Sequence, residues 1–227
     1  MSYRLPMYDF SQKPVVITRR MLLGGMALGL TGCASQAALL TQDIVKPAPA
    51  TQMDVLVATL RAPDPDPRIA FSGQRSPALS YAEVTVSVPL NRKPGTVRYP
   101  GRSVDLATDF AAVRMGRMNT QTEFVNRLNA QLAVLPAEHR RVFLFVHGYN
   151  VNFAAGVFRH AQLMQDYRIP GVAVHFSWAS AGGVSMYLYD RDSAELAADG
   201  LVRTLELIAP AMRRKSRCWA IPWAARL

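Results

Sequence analysis

The sequence predicts an α/β fold with a mostly parallel sheet and helices on both of its faces. Three observations carry this. Two short runs, Val142 to Val146 and Val172 to Phe176, are apolar throughout, as strands buried on both faces are. Each is followed by a stretch with apolar residues at helical spacing. The order strand, helix, strand, helix then implies right-handed crossovers between parallel strands.

Taken in chain order, Met53 to Thr59 is the first strand candidate, ended by Arg61. Pro63, Pro65 and Pro67 make 62–68 a loop. Tyr81 to Val88 alternates polar and apolar residues with β-branched side chains, the pattern of a half-buried strand. Residues 89–102 hold Pro94, Gly95, Pro100 and Gly101 and read as a second loop. Thr120 to Leu135 places Phe124, Leu128, Leu132 and Leu135 on one helical stripe. Phe153 to Tyr167 does the same with Phe153, Val157, Ala161 and Met164. Pro170-Gly171 is a turn, and Gly182-Gly183 lies in a loop. Arg191 to Ile208 closes the pattern as a helix, with Ala194, Ala198, Leu201, Leu205 and Ile208 along one side.

Composition excludes one tempting function. The formal net charge is +10, which suggests nucleic acid. Residues 1–32 hold four basic residues and one acid, and residues 211–227 hold five basic residues and none. Subtracting these from 26 basic and 16 acidic residues leaves 17 and 15, a nearly neutral body that argues against nucleic-acid binding. The two cysteines, Cys33 and Cys218, sit at opposite ends and form neither a metal-site spacing nor a disulfide framework.

The N-terminus reads as an address. Thr18-Arg19-Arg20-Met21-Leu22-Leu23 is twin-arginine-like, and the apolar run from Met21 to Leu30 is shorter than the ~20 residues that span a bilayer. Leu30-Thr31-Gly32-Cys33 resembles a lipobox, which implies lipidation of Cys33 and a protein exported to the cell envelope. The organisation expected is a signal peptide at 1–32, a flexible tether at 33–52, one domain at 53–210 and a basic tail at 211–227 that suits no folded element.

The apolar run 142–146 closes in His147-Gly148-Tyr149-Asn150. Together with Phe176-Ser177-Trp178-Ala179-Ser180 and Tyr187-Leu188-Tyr189-Asp190, it resembles an uncharacterised bacterial branch of the α/β-hydrolases, esterase- or lipase-like by superfamily. Asp54 to Thr59, Phe71-Ser72-Gly73 and Val86 to Pro89 are similar to that branch's N-terminal part, so the likeness runs from Met53 to Ala209. It implies a partial α/β-hydrolase fold and hydrolysis of an ester or other small acyl substrate by a Ser, Asp, His triad in that chain order, without metal or organic cofactor. It also implies an oxyanion loop at Gly148, Tyr149 and Asn150, with the Tyr149 or Asn150 amide as donor. The triad would follow Ala209, and no Gly-x-Ser-x-Gly occurs in the sequence, so no catalytic residue carries over. The rival expectation is a non-enzymatic envelope lipoprotein that keeps the fold for binding. His175 reads as a core or edge histidine, and Asp190, Asp192 and Glu195 as charges favouring a helix start. Packing is the expected role of Trp178 and Tyr187.

The tail carries one more signal. Tryptophan has the single codon TGG and alanine codons begin GC, so Trp219-Ala220 and Trp223-Ala224 each encode a glycine when read from the third codon base. With ATT for Ile221 and suitable third bases elsewhere, that frame reads Leu-Gly-His-Ser-Met-Gly, a nucleophile elbow. The expectation is an open reading frame truncated or shifted by one base near residues 210–215, just before the elbow.

Overall fold

The computed structural model describes residues 37–39, 44–46, 50–101, 103–213 and 218–222. The leader at 1–32 and the lipidation candidate Cys33 lie outside the described residues, as do 214–217 and 223–227.

Ile44–Lys46 (β1) pairs in parallel with Val104–Asp105 (β4) as a small separate sheet. The main sheet is built from Ala50–Pro63 (β2), Phe71–Pro89 (β3), Ala111–Met118 (β5), Val142–Val146 (β6), Val172–Ser177 (β7) and Cys218–Pro222 (β8). Its order is β5-β3-β2-β7-β6-β8. The β2–β3 and β3–β5 pairs are antiparallel, whereas β2–β7, β7–β6 and β6–β8 are parallel. The helices are Gln121–Ala133 (α1), Phe153–Asp166 (α2), Tyr187–Leu196 (α3) and Ala198–Arg213 (α4).

Strand alternation sorts the core into two layers. Val55, Val57, Phe143, Phe145 and Ala173 face α2, whose Phe153, Val157, Phe158 and Ala161 complete one cluster. Leu56, Ala58, Val142, Leu144, Val172, Val174 and Phe176 face the other way, against Phe124, Leu128 and Leu132 of α1 and Ile208 of α4. The fold is thus helix, sheet, helix, with the mostly parallel sheet between, as the apolar runs imply. Local signals start the first two helices. Thr120 accepts from the Glu123 N–H at 3.1 Å, and Asn152 accepts from the Ala155 N–H at 2.9 Å. At the predicted Pro170-Gly171 turn, Gly171 has φ +126°, and a Cβ there would lie 2.4 Å from the Arg141 carbonyl oxygen.

The structure departs from expectation in five places. First, β3 starts at Phe71, ten residues before the alternating run, because its first half pairs with the end of β2, as in Pro63 opposite Phe71. Second, β5 has no sequence signature. Its arginines and Gly116 dilute the pattern, and pairing with Tyr81–Ser87 of β3 makes it a strand. Third, the expected helix 191–208 is two helices. The first begins at Tyr187, the chain breaks at Ala197, and Gly200 then lies so close to Leu60 that a Cβ would sit 2.5 Å from its Cδ1. Fourth, the stretch expected to be a tether is partly packed: Ala37 and Leu39 are buried, and β1 lies within it. Fifth, the tail is not without structure. α4 runs to Arg213, and Cys218–Pro222 pairs in parallel with every residue of β6, extending a backbone ladder that would otherwise end there. Among the described residues no helix is long and apolar enough to cross a membrane.

Candidate functional site at the carboxyl edge of the sheet

The parallel strands β2, β6 and β7 all run toward one edge, where open α/β sheets place ligand crevices. Three connections meet there: the end of β2 at Thr59 to Arg61, the turn 147–152 after β6, and the loop 178–186 after β7. A cavity of about 990 Å³ opens beside them, lined by Gly148, Tyr149, Asn150, Trp178, Tyr187 and Leu201 among others.

Arg61 organises this edge. It is fully buried. Its guanidinium donates to the carbonyls of Ser180 at 2.8 Å, Val151 at 2.7 Å and Ser72 at 3.2 Å, and its Nε donates to Ser177 Oγ at 2.9 Å. One cation therefore ties together the loops after β6 and β7 and the start of β3. Burial lowers the Arg61 pKa to about 9, and the field of Asp190 opposes that shift. The group stays charged at neutral pH.

Asp190 is the counterpart. It is 1% exposed, on the first turn of α3. Its carboxylate accepts from the Asn150 N–H at 3.0 Å, the Ala181 N–H at 2.7 Å and Ser180 Oγ at 2.5 Å. The expectation of a charge that merely favours a helix start is corrected here. Helix α3 begins four residues before the expected start, which turns Asp190 inward onto two loops. Asp192 is exposed and pairs with Arg191. We expect Asp190→Ala to strip two backbone donors and one hydroxyl of their acceptor. Amide exchange of 149–152 should then speed by about 10²-fold or more, at about 1–3 kcal/mol per orphaned group. Unchanged exchange in that segment would contradict the clamp.

The candidate oxyanion residues fall on this clamped turn. Asn150 adopts φ 56°, a left-handed conformation that asparagine tolerates, and its N–H is engaged by Asp190. That removes Asn150 as the oxyanion donor. Tyr149 remains: among the described residues no hydrogen bond engages its N–H, and its hydroxyl donates to the Val184 carbonyl. Gly148 supplies the turn, and its carbonyl lies 2.8 Å from His147 Nδ1.

His147 holds the base of the turn. Its ring stacks on Trp178 at 4.9 Å, and the Trp178 indole N–H donates to the His147 carbonyl at 2.8 Å. Ser177 Oγ lies 3.3 Å from His147 Nε2, with Arg61 Nη2 at 3.4 Å from the same nitrogen. The same nitrogen lies 3.1 Å from the Trp178 carbonyl, so each ring nitrogen of His147 faces a carbonyl acceptor. Ser177 and His147 stand as a nucleophile and base would, but the ring is a weak base. Both are buried, and burial followed by the Arg61 charge lowers the His147 pKa to about 3.

His175 is a core histidine, fully buried, stacked on Phe145 at 5.4 Å. His160 of α2 lies 5.9 Å from it, and neither ring has a hydrogen-bond partner among the described residues. Trp178 and Tyr187 both line the cavity as well as pack. A second cavity of about 410 Å³, by Pro77, Tyr81 and Arg203, lies away from these loops. Among the described residues no group of three or more His, Cys, Asp or Glu is placed to hold a metal ion.

Sequence reasoning missed Arg61, Ser177 and Ser180. One signal was available for Arg61: it shares the strand parity of Val57 and Thr59, an inward face on which a cation needs buried acceptors.

Residues 120–217, a little under half of the chain, match the model of a family described as "Alpha/beta hydrolase of unknown function (DUF900)". The match runs from the N-cap of α1 through the turn, α2, β7 and α4. No curated protein and no solved structure matches the chain.

Proposed function

We propose that this chain, whose residues 120–217 are an α/β-hydrolase segment, is the N-terminal part of a cell-envelope lipoprotein that hydrolyses ester or similar acyl bonds. The observation that carries the reading is the turn after β6. Gly148 and Tyr149 stand at the edge of a large cavity, and Arg61, Asp190 and Ser180 hold the turn rigidly while leaving the Tyr149 N–H unengaged. A preorganised amide of this kind stabilises negative charge without reorganising during the reaction.

The nucleophile is assigned to the codons of β8 read one base out of frame. In register, Ile221 lies opposite Phe145 and Pro222 opposite Val146, so β8 ends beside the His147–Tyr149 turn. The serine codon of Leu-Gly-His-Ser-Met-Gly straddles Ile221 and Pro222, at that strand end. In the restored protein the serine oxygen would attack the acyl carbon while a histidine takes its proton. The tetrahedral oxyanion would accept from Tyr149 N–H. An aspartate would orient that histidine. A metal ion or organic cofactor has no step to perform in this scheme.

One observation favours the rival reading, an envelope lipoprotein that only binds. The chain has no Gly-x-Ser-x-Gly. Assay of short-chain nitrophenyl esters separates the two. The chain as given should match the buffer blank. The frame-restored protein should turn over, and alanine at its elbow serine should remove at least about 10³-fold of that rate. An inactive frame-restored protein that still folds would leave binding as the function. Saturable turnover by the chain as given would reveal a different nucleophile.

A further inference from the structure

We propose that the rim formed by residues 182–188 and the turn 149–152 is a lipid-contact surface, seated on the bilayer to which Cys33 is attached. The proposal rests on the lipobox reading of Leu30 to Cys33.

The first observation is where the chain is pinned. Ala37 is buried, and its carbonyl accepts from Asn152 Nδ2 at 2.9 Å. Leu39 is fully buried, donates to the Arg68 carbonyl at 2.7 Å and accepts from the Ala112 N–H at 3.1 Å. Only four residue steps separate Cys33 from Ala37, a reach of at most ~14 Å when fully extended. Asn152 is both the cap of α2 and the end of the candidate turn. A lipid on Cys33 would thus lie within that reach of Ala37, which the turn 149–152 holds through Asn152.

The second observation is what this edge exposes. Ten large apolar side chains are exposed among the described residues, and four of them fall between 184 and 188. They are Val184, Met186, Tyr187 and Leu188, the first of them 75% exposed. A cluster of this kind costs free energy in water and is relieved in the headgroup and acyl boundary, where tyrosine is also at home.

The third observation joins the two. The Tyr149 hydroxyl donates to the Val184 carbonyl, and the Tyr149 and Tyr187 rings meet edge to face at 5.5 Å. The apolar rim and the pinned N-terminal segment thus hold opposite ends of one short turn. Tyr149 and Tyr187 also line the cavity, so an acyl substrate dissolved in the bilayer would meet its mouth without crossing water.

The test uses the full-length lipidated protein with C218S, reconstituted in vesicles of phosphatidylethanolamine and phosphatidylglycerol. A fluorophore is placed by L188C or, as the control on the exposed end of α1, by V134C. The proposal expects the label at 188 to be quenched by doxyl-labelled lipid and its quenching by aqueous iodide to fall several-fold. The label at 134 should behave as it does in solution. Equal iodide access at both positions in protein that is vesicle-bound with a diacylated Cys33 peptide by mass spectrometry would overturn the contact surface alone. An unmodified Cys33 peptide in protein that stays unbound would overturn the lipobox reading and this proposal with it. Protection of the label at 188 without vesicles would assign the rim to a second copy of the chain instead.

Discussion

Replacing Arg61 by leucine is expected to cost about 3–5 kcal/mol of folding stability, the scale of removing one partner from a buried ionic network. The guanidinium satisfies the carbonyls of Ser180 and Val151, from the loops after β7 and β6, and of Ser72 at the start of β3. Leucine fills part of the volume but leaves those acceptors without donors, at about 1–3 kcal/mol for each that stays dry. Arg61→Lys should recover only part of the loss, since an ammonium lacks the planar fork that spans three carbonyls. Arg68, exposed and paired with Asp66, is the comparison. Arg68→Leu should leave the urea midpoint close to that of the parent. Urea midpoints followed by circular dichroism decide the matter, and equal midpoints for R61L and R68L would remove Arg61 from its organising role.

The second large effect is an acid instability. His147, His175 and His160 form a buried column, with ring centroids 5.6 Å and 5.9 Å apart in turn. Burial lowers the pKa of His147 and of His160 to about 3, and that of His175 well below its ordinary value. Desolvation dominates in all three, and around His147 and His175 the neighbouring charge of Arg61 adds to it. The folded protein thus keeps these rings neutral, while the unfolded chain protonates them below an ordinary pKa of 6.5. The unfolded state binds more protons in that window, so stability present above about pH 6.5 is lost progressively as the pH falls toward 3. Each ring contributes a slope approaching about 1.4 kcal/mol per pH unit, and three together about 4. His160→Leu should remove one third of that slope. It should cost little at pH 7.5, because neither ring nitrogen of His160 has a partner to lose. Urea denaturation at steps from pH 7.5 to 5 measures this, and a stability that stays flat over the range would contradict the neutral column.

How much was legible depended on where the determining contacts lie. Val142–Val146, Val172 and Phe153 start or bound their elements where the apolar pattern places them, because burial on both faces leaves a local signature. The strand 111–118 left none, and it exists because β3 offers a partner. The same holds for Cys218–Pro222, a segment that looks out of place until it is laid beside β6. In the site, the His147-Gly148-Tyr149 turn was readable from resemblance. Which amide stays available was not, since Asn150 is claimed by Asp190 from forty residues away. Arg61 read as the end of a strand because a lone cation says nothing about the loops that will fold over it.

In the function proposed above, β8 is the nucleophile strand read one base out of register. The nucleotide sequence from codon 205 to beyond codon 227 tests it most directly. The expected result is ATT for Ile221, a shifted frame reading Gly-x-Ser-x-Gly across Trp219 to Ala224, and an aspartate and a histidine further along that frame. An Ile221 codon of ATC or ATA would replace the serine by proline or threonine, and the assignment of the nucleophile to β8 would be wrong.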